Sequence, residues 1–352
     1  MANVLQPVVR KPKRSNWYFY IVGAVGIALI SGLCYFIFSV DLDPAVYELT
    51  AVKQIPISAV QNNRLSDVTQ ISIIPHSGPE SIVYVNGTLY TGTENGNILR
   101  IRDSKVEVFH DLKQSDCVGS CGRPLGMRLS KNGENIFIVD ASSGVYSLSL
   151  ENGAVDKIFP LDSLFHPRFL DDLDVLPNGE IVISEATVKY SLQELDKEYF
   201  ESRANGRLLL VNPQTGQWKV LADGLYFPNG VQLHRDGKSL LVAETTRFRV
   251  IRVPLDGKSP ATMFVDGLPG FPDNIRLSPR GGYWIPINLL LPGLNMLKTR
   301  SSMLLRVDEQ GDIIEVWRDP QNKVLNVAEV CEAGEYLYTS SYFLPYVGKV
   351  KL

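Results

Sequence analysis

Histidine and cysteine are scarce in this chain, four of each in 352 residues. Positive charge is not in excess either. The formal net charge is −3, which argues against a nucleic-acid-binding protein. The first 40 residues contain no acid, only Arg10, Lys11, Lys13 and Arg14. With those four set aside, the remainder carries −7. Trp17 to Val40 contains no charge of either sign.

That uncharged run sets the expected topology. It is long enough to cross a bilayer, which takes about 20 apolar residues. Basic residues precede it and Asp41 and Asp43 follow it, so the positive-inside rule places residues 1–16 in the cytosol. Trp17, Tyr18 and Tyr20 suit an interfacial belt. The expectation is a type II signal anchor over residues 17–40, in the plasma membrane or endoplasmic reticulum, with the rest extracellular or lumenal. A cleaved signal sequence is the alternative, but the run is too long and has no clear small-residue cleavage site. The cysteines fit that compartment. Cys34 lies in the run, and Cys117 and Cys121 are close enough to pair as a disulfide. A metal site at that pair has no histidine nearby. Asn86-Gly87-Thr88 is a glycosylation sequon on an expected turn.

Beyond the anchor the sequence repeats. Phe227-Pro228-Asn229-Gly230-Val231-Gln232-Leu233 leads to Asp236-Gly237 and an apolar run from Ser239. Phe271-Pro272-Asp273-Asn274-Ile275-Arg276-Leu277 leads to Gly281-Gly282 and a second run from Tyr283. Two strands joined by a glycine turn make a hairpin. Hairpins recurring at about 45 residues suit propeller blades. Similar units begin near Glu80, Cys121, Phe169 and Asn326, which makes six blades across 71–352. Residues 41–70 are expected to be a linker whose last part supplies a closing strand. Two insertions break the period. Residues 188–205 carry Leu192, Leu195, Tyr199 and Phe200 at helical spacing, and residues 288–302 form an apolar loop. Each could cover one mouth of the ring or simply pack on a neighbouring blade.

In a propeller the inner strands surround a central channel, so residues at equivalent starts of those strands converge. Here they are Glu80, Asp171 or Asp172, Asn229, Asp273 and Asn274. An unpaired buried carboxylate costs on the order of several kcal/mol. Each polar group alone could be a turn cap, but their recurrence points to a cation. All are oxygen donors, which favours a hard ion such as calcium.

Four stretches carry a resemblance. They are Cys121-Gly122-Arg123-Pro124-Leu125-Gly126, the Phe227–Leu233 motif, Val242-Ala243-Glu244-Thr245-Thr246, and Leu268-Pro269-Gly270 continuing through Arg276. The chain resembles the strictosidine-synthase-like family over nearly its whole length. The resemblance implies an all-β, six-bladed β-propeller with an N-terminal transmembrane helix. It also implies kinship with calcium-dependent paraoxonases, gluconolactonases and regucalcin, and an arylesterase-like activity in the animal branch. The hydrolases' metal pattern falls on Glu80, Asp171, Asn229, Asp273 and Asn274, with Asp171 standing where the pattern has Asn. The paraoxonase-type catalytic histidine falls near Leu125. The strictosidine-synthase glutamate falls on Glu332, set between Cys331 and Ala333, where it could equally be a turn residue.

Three functions follow. The first is a calcium-dependent hydrolase of small esters or lactones, with Asp273 as ligand, base or nucleophile. His166 is the one histidine near a blade start, and reads equally as a loop residue. The second is a non-catalytic surface propeller with a structural calcium and a protein partner. The third is an amine–aldehyde condensing enzyme using Glu332.

Overall fold

The computed structural model describes residues 22, 23, 25–27, 30, 31, 42–114, 122–161, 165–289 and 301–352. It divides into two units, 1–43 and 44–352. In the first, residues 22, 23, 25–27, 30 and 31 are helical. Among the described residues no helix is long and apolar enough to cross a membrane. Most of the expected span at 17–40 lies outside the described residues, as do Cys117, Cys121 and residues 290–300.

The second unit is an all-β propeller of six sheets. Blades 1 to 6 span residues 82–111, 124–159, 169–225, 228–265, 271–318 and 327–351. Each follows the same chemistry. An inner strand descends, turns at a left-handed residue such as Gly179 or Gly237, and returns as a second strand, which in blades 3 and 4 is fully buried. The described inner turn in blade 1 is Asn86-Gly87, and Asn86 is exposed there with φ 46°. Adjacent blades bury apolar clusters between them. Val182, Leu208, Val231, Leu240 and Val242 join blades 3 and 4.

The ring closes on itself. Thr69–Ser72 pairs antiparallel with Tyr346–Lys351 as the outer strand of blade 6. This pairing ties the N-terminal end of the propeller to its last blade and covers the edge of Tyr346–Lys351. Two features depart from the even repeat. Val60–Asn62, read as linker, adds a parallel strand at the edge of blade 5. Blade 5's inner strand is also split into Phe271–Pro272 and Arg276–Leu277. Residues 273–275 leave the sheet there, which frees Asp273 and Asn274 to face the axis.

The insertion in blade 3 is helical as its spacing suggests. Leu192–Glu194 forms a 3-10 turn and Leu195–Glu201 a helix, α1. Ser191 and Glu194 form a capping box at the start of the 3-10 turn. Leu192, Leu195 and Tyr199 pack on Leu125, Phe169 and Phe227, whereas Phe200 is 62% exposed. The other face of α1 carries Glu198, which is buried with Oε1 unpaired. Burial pushes its carboxyl up to about 7, against weaker opposing bonds from Thr187 and Asn205. Between pH 4.5 and 7 the folded chain therefore holds a proton that the unfolded chain has lost, so stability falls as pH rises through that window. Glu198→Gln should raise the melting temperature at pH 8 and flatten the decline between pH 5 and 8. Parallel curves for the two proteins would show that Glu198 does not titrate in this way.

Candidate functional site

The inner strands bring the expected polar residues to one end of the channel. Glu80, Asp171, Asn229 and Asp273 all line one cavity of about 400 Å³. Asn274 lies against it, and its Nδ2 donates to Glu80 Oε1 at 2.7 Å. Strand alternation decides between the paired aspartates. Asp171 faces the cavity, while Asp172 turns away to hold arginines.

Close backbone approach makes this convergence possible. A Cβ on Gly230 would lie 2.5 Å from Ile275 N and 2.6 Å from Asn274 Cα. Gly126 stands in the same relation to Asp172, at 2.6 Å from its Cα. These are the glycines of the Pro-Asn-Gly-Val and Pro-Leu-Gly-Met stretches. Gly230→Ala should force the 273–275 segment outward and destabilise the fold by about 1–3 kcal/mol, as overpacking does. Urea unfolding checks this; an unchanged midpoint would mean that the segment yields freely.

Hydroxyls on or just after the second strands clasp the next blade. Ser184 Oγ donates to Asn229 O at 2.7 Å, and Thr245 Oγ1 donates to Pro272 O at 2.9 Å. Ser340 Oγ donates to Glu80 O. Asn288 bridges blades 5 and 6, with Nδ2 donating to Val327 O and to Asp273 Oδ2, both at 3.1 Å. Glu244 of the Val242–Thr246 stretch is structural. It pairs with Arg249 at 2.5 Å and accepts from Tyr226 N at 2.9 Å.

The cavity floor is electrostatically crowded. Burial, followed by the charges of Asp171 and Asp273, raises Glu80 well above the usual carboxylate range. Burial, Asp273 and Asp172 do the same to Asp171. Glu80 Oε2, Asn229 Oδ1 and Asn274 Oδ1 are buried acceptors without hydrogen-bond partners. Orphaned oxygens beside mutually repelling carboxylates suit a hard cation, which would satisfy both at once. Among the described residues, no group of three or more His, Cys, Asp or Glu side chains already forms a metal-ligating cluster. Two of the five candidates are amides.

Deeper in the channel is a layer that the sequence reading did not find. Arg276 pairs with Asp172 at 2.8 Å and with Glu329. Arg128 pairs with Asp172 at 3.3 Å and Asp174 at 3.5 Å. Burial opposes the charge on Asp172, but Arg128 and Arg276 outweigh it and hold the carboxyl below its ordinary value. Glu329 accepts from Ser81 Oγ at 2.7 Å and Ile82 N at 2.9 Å.

The cavity walls are apolar and aromatic, built from Leu125, Phe169, Phe227, Tyr199 and Tyr342. The ring centroids of Tyr199 and Phe227 are 5.3 Å apart. Burial pushes the Tyr342 hydroxyl up to about 12. Leu125 occupies the second-blade position where the resemblance would put a histidine. His166 is exposed in the loop before blade 3 and does not line the cavity. Glu332 also lies away from it. Its carboxylate accepts from Arg280 Nε at 2.6 Å, and from Trp284 Nε1 and Ser278 Oγ at 2.7 Å. Burial works against that charge, yet these bonds prevail and keep the carboxyl below its ordinary value.

Comparison with known proteins now bears on this arrangement. Residues 171–258 match the strictosidine synthase family model, and residues 60–101 match the strictosidine synthase-like N-terminal model. The adipocyte plasma membrane-associated protein of Salmo salar is 33% identical, over 78% of this chain and 76% of its own. The chain belongs to the strictosidine-synthase-like family. Among solved structures, a gluconolactonase from Xanthomonas campestris superposes with a TM-score of 0.59 at 16% identity, covering 89% of this chain and 98% of that one. Regucalcin from Agrobacterium tumefaciens, described as calcium-binding, superposes with a TM-score of 0.57 at 15% identity, covering 83% and 95%. At those identities the likeness is one of fold. In this chain Leu125 lines the same cavity as the converging oxygen donors.

Proposed function

We propose that this family member is a membrane-anchored, calcium-dependent hydrolase of small esters or lactones. The observation that carries the reading is the cavity floor, where the buried acids Glu80 and Asp171, the half-buried Asp273 and two amides meet beneath an apolar wall. The names of the gluconolactonase and regucalcin neighbours, and of the plasma membrane-associated relative, are consistent with it.

Glu80, Asp171, Asn229, Asp273 and Asn274 would hold the ion, which would polarise a carbonyl oxygen and stabilise developing negative charge. The chain's own residues do the rest. Phe169, Phe227, Tyr199 and Tyr342 seat the apolar part of the substrate and exclude water from it. Asn288 fixes one oxygen of Asp273 through its amide, so the carboxylate can take a proton from the attacking water. That proton then passes to the departing alkoxide as the ester C–O bond breaks. With leucine at position 125, no histidine shares this task from the second blade.

Hydrolysis of phenyl acetate by the full chain tests the reading. Turnover should need calcium, stop with EGTA, and fall at least 100-fold in Asp273→Ala, the scale expected of a general base. Equal turnover with and without EGTA would remove the metal from the chemistry. No turnover above background would favour a propeller that uses its ion structurally and binds a partner.

A further inference from the structure

The chain leaves the propeller beside the mouth of the cavity. Ala45 N donates to Glu201 O at the end of α1 at 2.8 Å. Tyr47 continues the attachment, with its hydroxyl 2.6 Å from Ser202 Oγ and donating to Thr246 O at 2.8 Å. Arg247 is stacked between the rings of Tyr47 and Tyr226, at 3.8 and 4.2 Å from their centroids. Further along, Lys53 N donates to Gly267 O at 2.7 Å. Residues 45–53 are thus a strap fixed to the same insertion that walls the cavity.

The length of chain before the strap is short. Val40 ends the uncharged run, and Ala45 is the fifth residue after it. An extended chain advances at most about 3.6 Å per residue, so Ala45 can stand no more than ~18 Å from the end of the span. The inner hairpin turns lie at the far end of the strands. The inner strand of blade 3 alone, Phe169–Val175, has seven residues, and each advances about 3.3 Å. The short tether to the proposed span therefore joins the propeller at its cavity end.

Exposed apolar side chains gather at this exit, between the exposed charges of Asp43, Glu48, Lys189 and Asp196. Val46 and Phe200, which flank the Ala45–Glu201 bond, are 102% and 62% exposed. Leu49 and Val188, on the same two segments, are also exposed. Apolar side chains grouped where the chain meets a membrane span suit contact with lipid.

We propose that this face, formed by α1, Val188 and the strap, lies against the lipid bilayer and turns the cavity mouth toward it. The inference rests on the proposed anchor but not on the proposed hydrolysis. An apolar ligand dissolved in the facing leaflet would reach the aromatic wall through the boundary between lipid and protein.

The test is tryptophan quenching by brominated phosphatidylcholine, with the full chain in nanodiscs of that lipid. Phe200→Trp places a reporter on the face, Val188→Trp is a second reporter, and Asn178→Trp marks the exposed turn at the opposite end. The four native tryptophans are subtracted using the wild-type chain. The face reporters should lose at least twice the fraction of fluorescence lost by the Asn178→Trp reporter. Equal quenching at the two ends, or none at position 200 or 188, overturns the proposal. A chain that does not co-elute with the nanodiscs overturns it through the anchor. Quenching needs no turnover, so an inactive chain with quenched face reporters counts against the hydrolase reading alone.

Discussion

Replacing Arg276 with methionine should destabilise the propeller by about 3–5 kcal/mol, the cost of leaving a buried ion pair half-broken. Arg276 faces two carboxylates, Asp172 and Glu329, whose side chains are both 0% exposed. Without it, Arg128 remains as their partner, 3.3 Å from Asp172 but 3.9 Å from Glu329. Glu329 therefore bears most of the loss. Its bonds from Ser81 and Ile82 do not neutralise its charge. Adding Glu329→Gln to Arg276→Met should recover part of the stability, because a neutral amide costs less to bury than an unpaired carboxylate. Chemical unfolding of the wild-type, single-variant and double-variant chains reads both effects. A single variant within 1 kcal/mol of wild type would mean that water or Arg128 already neutralises the layer.

Removing the proposed cation is expected to be the second large effect. An ion that binds only the folded chain stabilises it by about 2.7 kcal/mol when present at 100 times its dissociation constant. EGTA should therefore lower the melting temperature by several degrees. The size of the effect has a specific source in Glu80 and Asp171. Burial and mutual repulsion hold both carboxyls protonated above the ordinary range, so an arriving cation must displace protons. The stabilisation by calcium should consequently grow between pH 5 and 8. Stabilisation that stays constant over that range would place the ion away from these two acids. Asp172 carries no such penalty, because its arginines already hold it ionised.

Much of this arrangement was legible in the chain. The glycine turns and apolar runs marked the blades because a hairpin needs both locally. The polar strand starts marked the cavity floor because buried oxygen donors at apolar positions demand a reason. Asp171 and Asp172 remained ambiguous, since only the pleat decides which one faces the axis. Arg276 and Arg128 were hidden for another reason. Each lies on an inner strand where an arginine usually reads as a solvated residue, and its partners come from other blades far along the sequence. The run Phe169-Leu170-Asp171-Asp172-Leu173-Asp174 was a signal for them, since three acids on a buried strand need cations nearby. Asn288 ends a strand that otherwise reads as core, and its bridging role depends on the split in blade 5. The strap at 45–53 has no periodic pattern. Its attachment comes from single contacts, such as Tyr47 on Arg247, that no local rule reveals.

Calcium titration of the full chain by calorimetry, beside Asp273→Ala and Asn229→Ala, tests the central claim most directly. The cavity floor predicts one ion per wild-type chain, with protons released on binding and affinity reduced at least tenfold in each variant. No binding to the wild-type chain, or binding that both variants leave unchanged, would contradict a cation site at the converging inner strands.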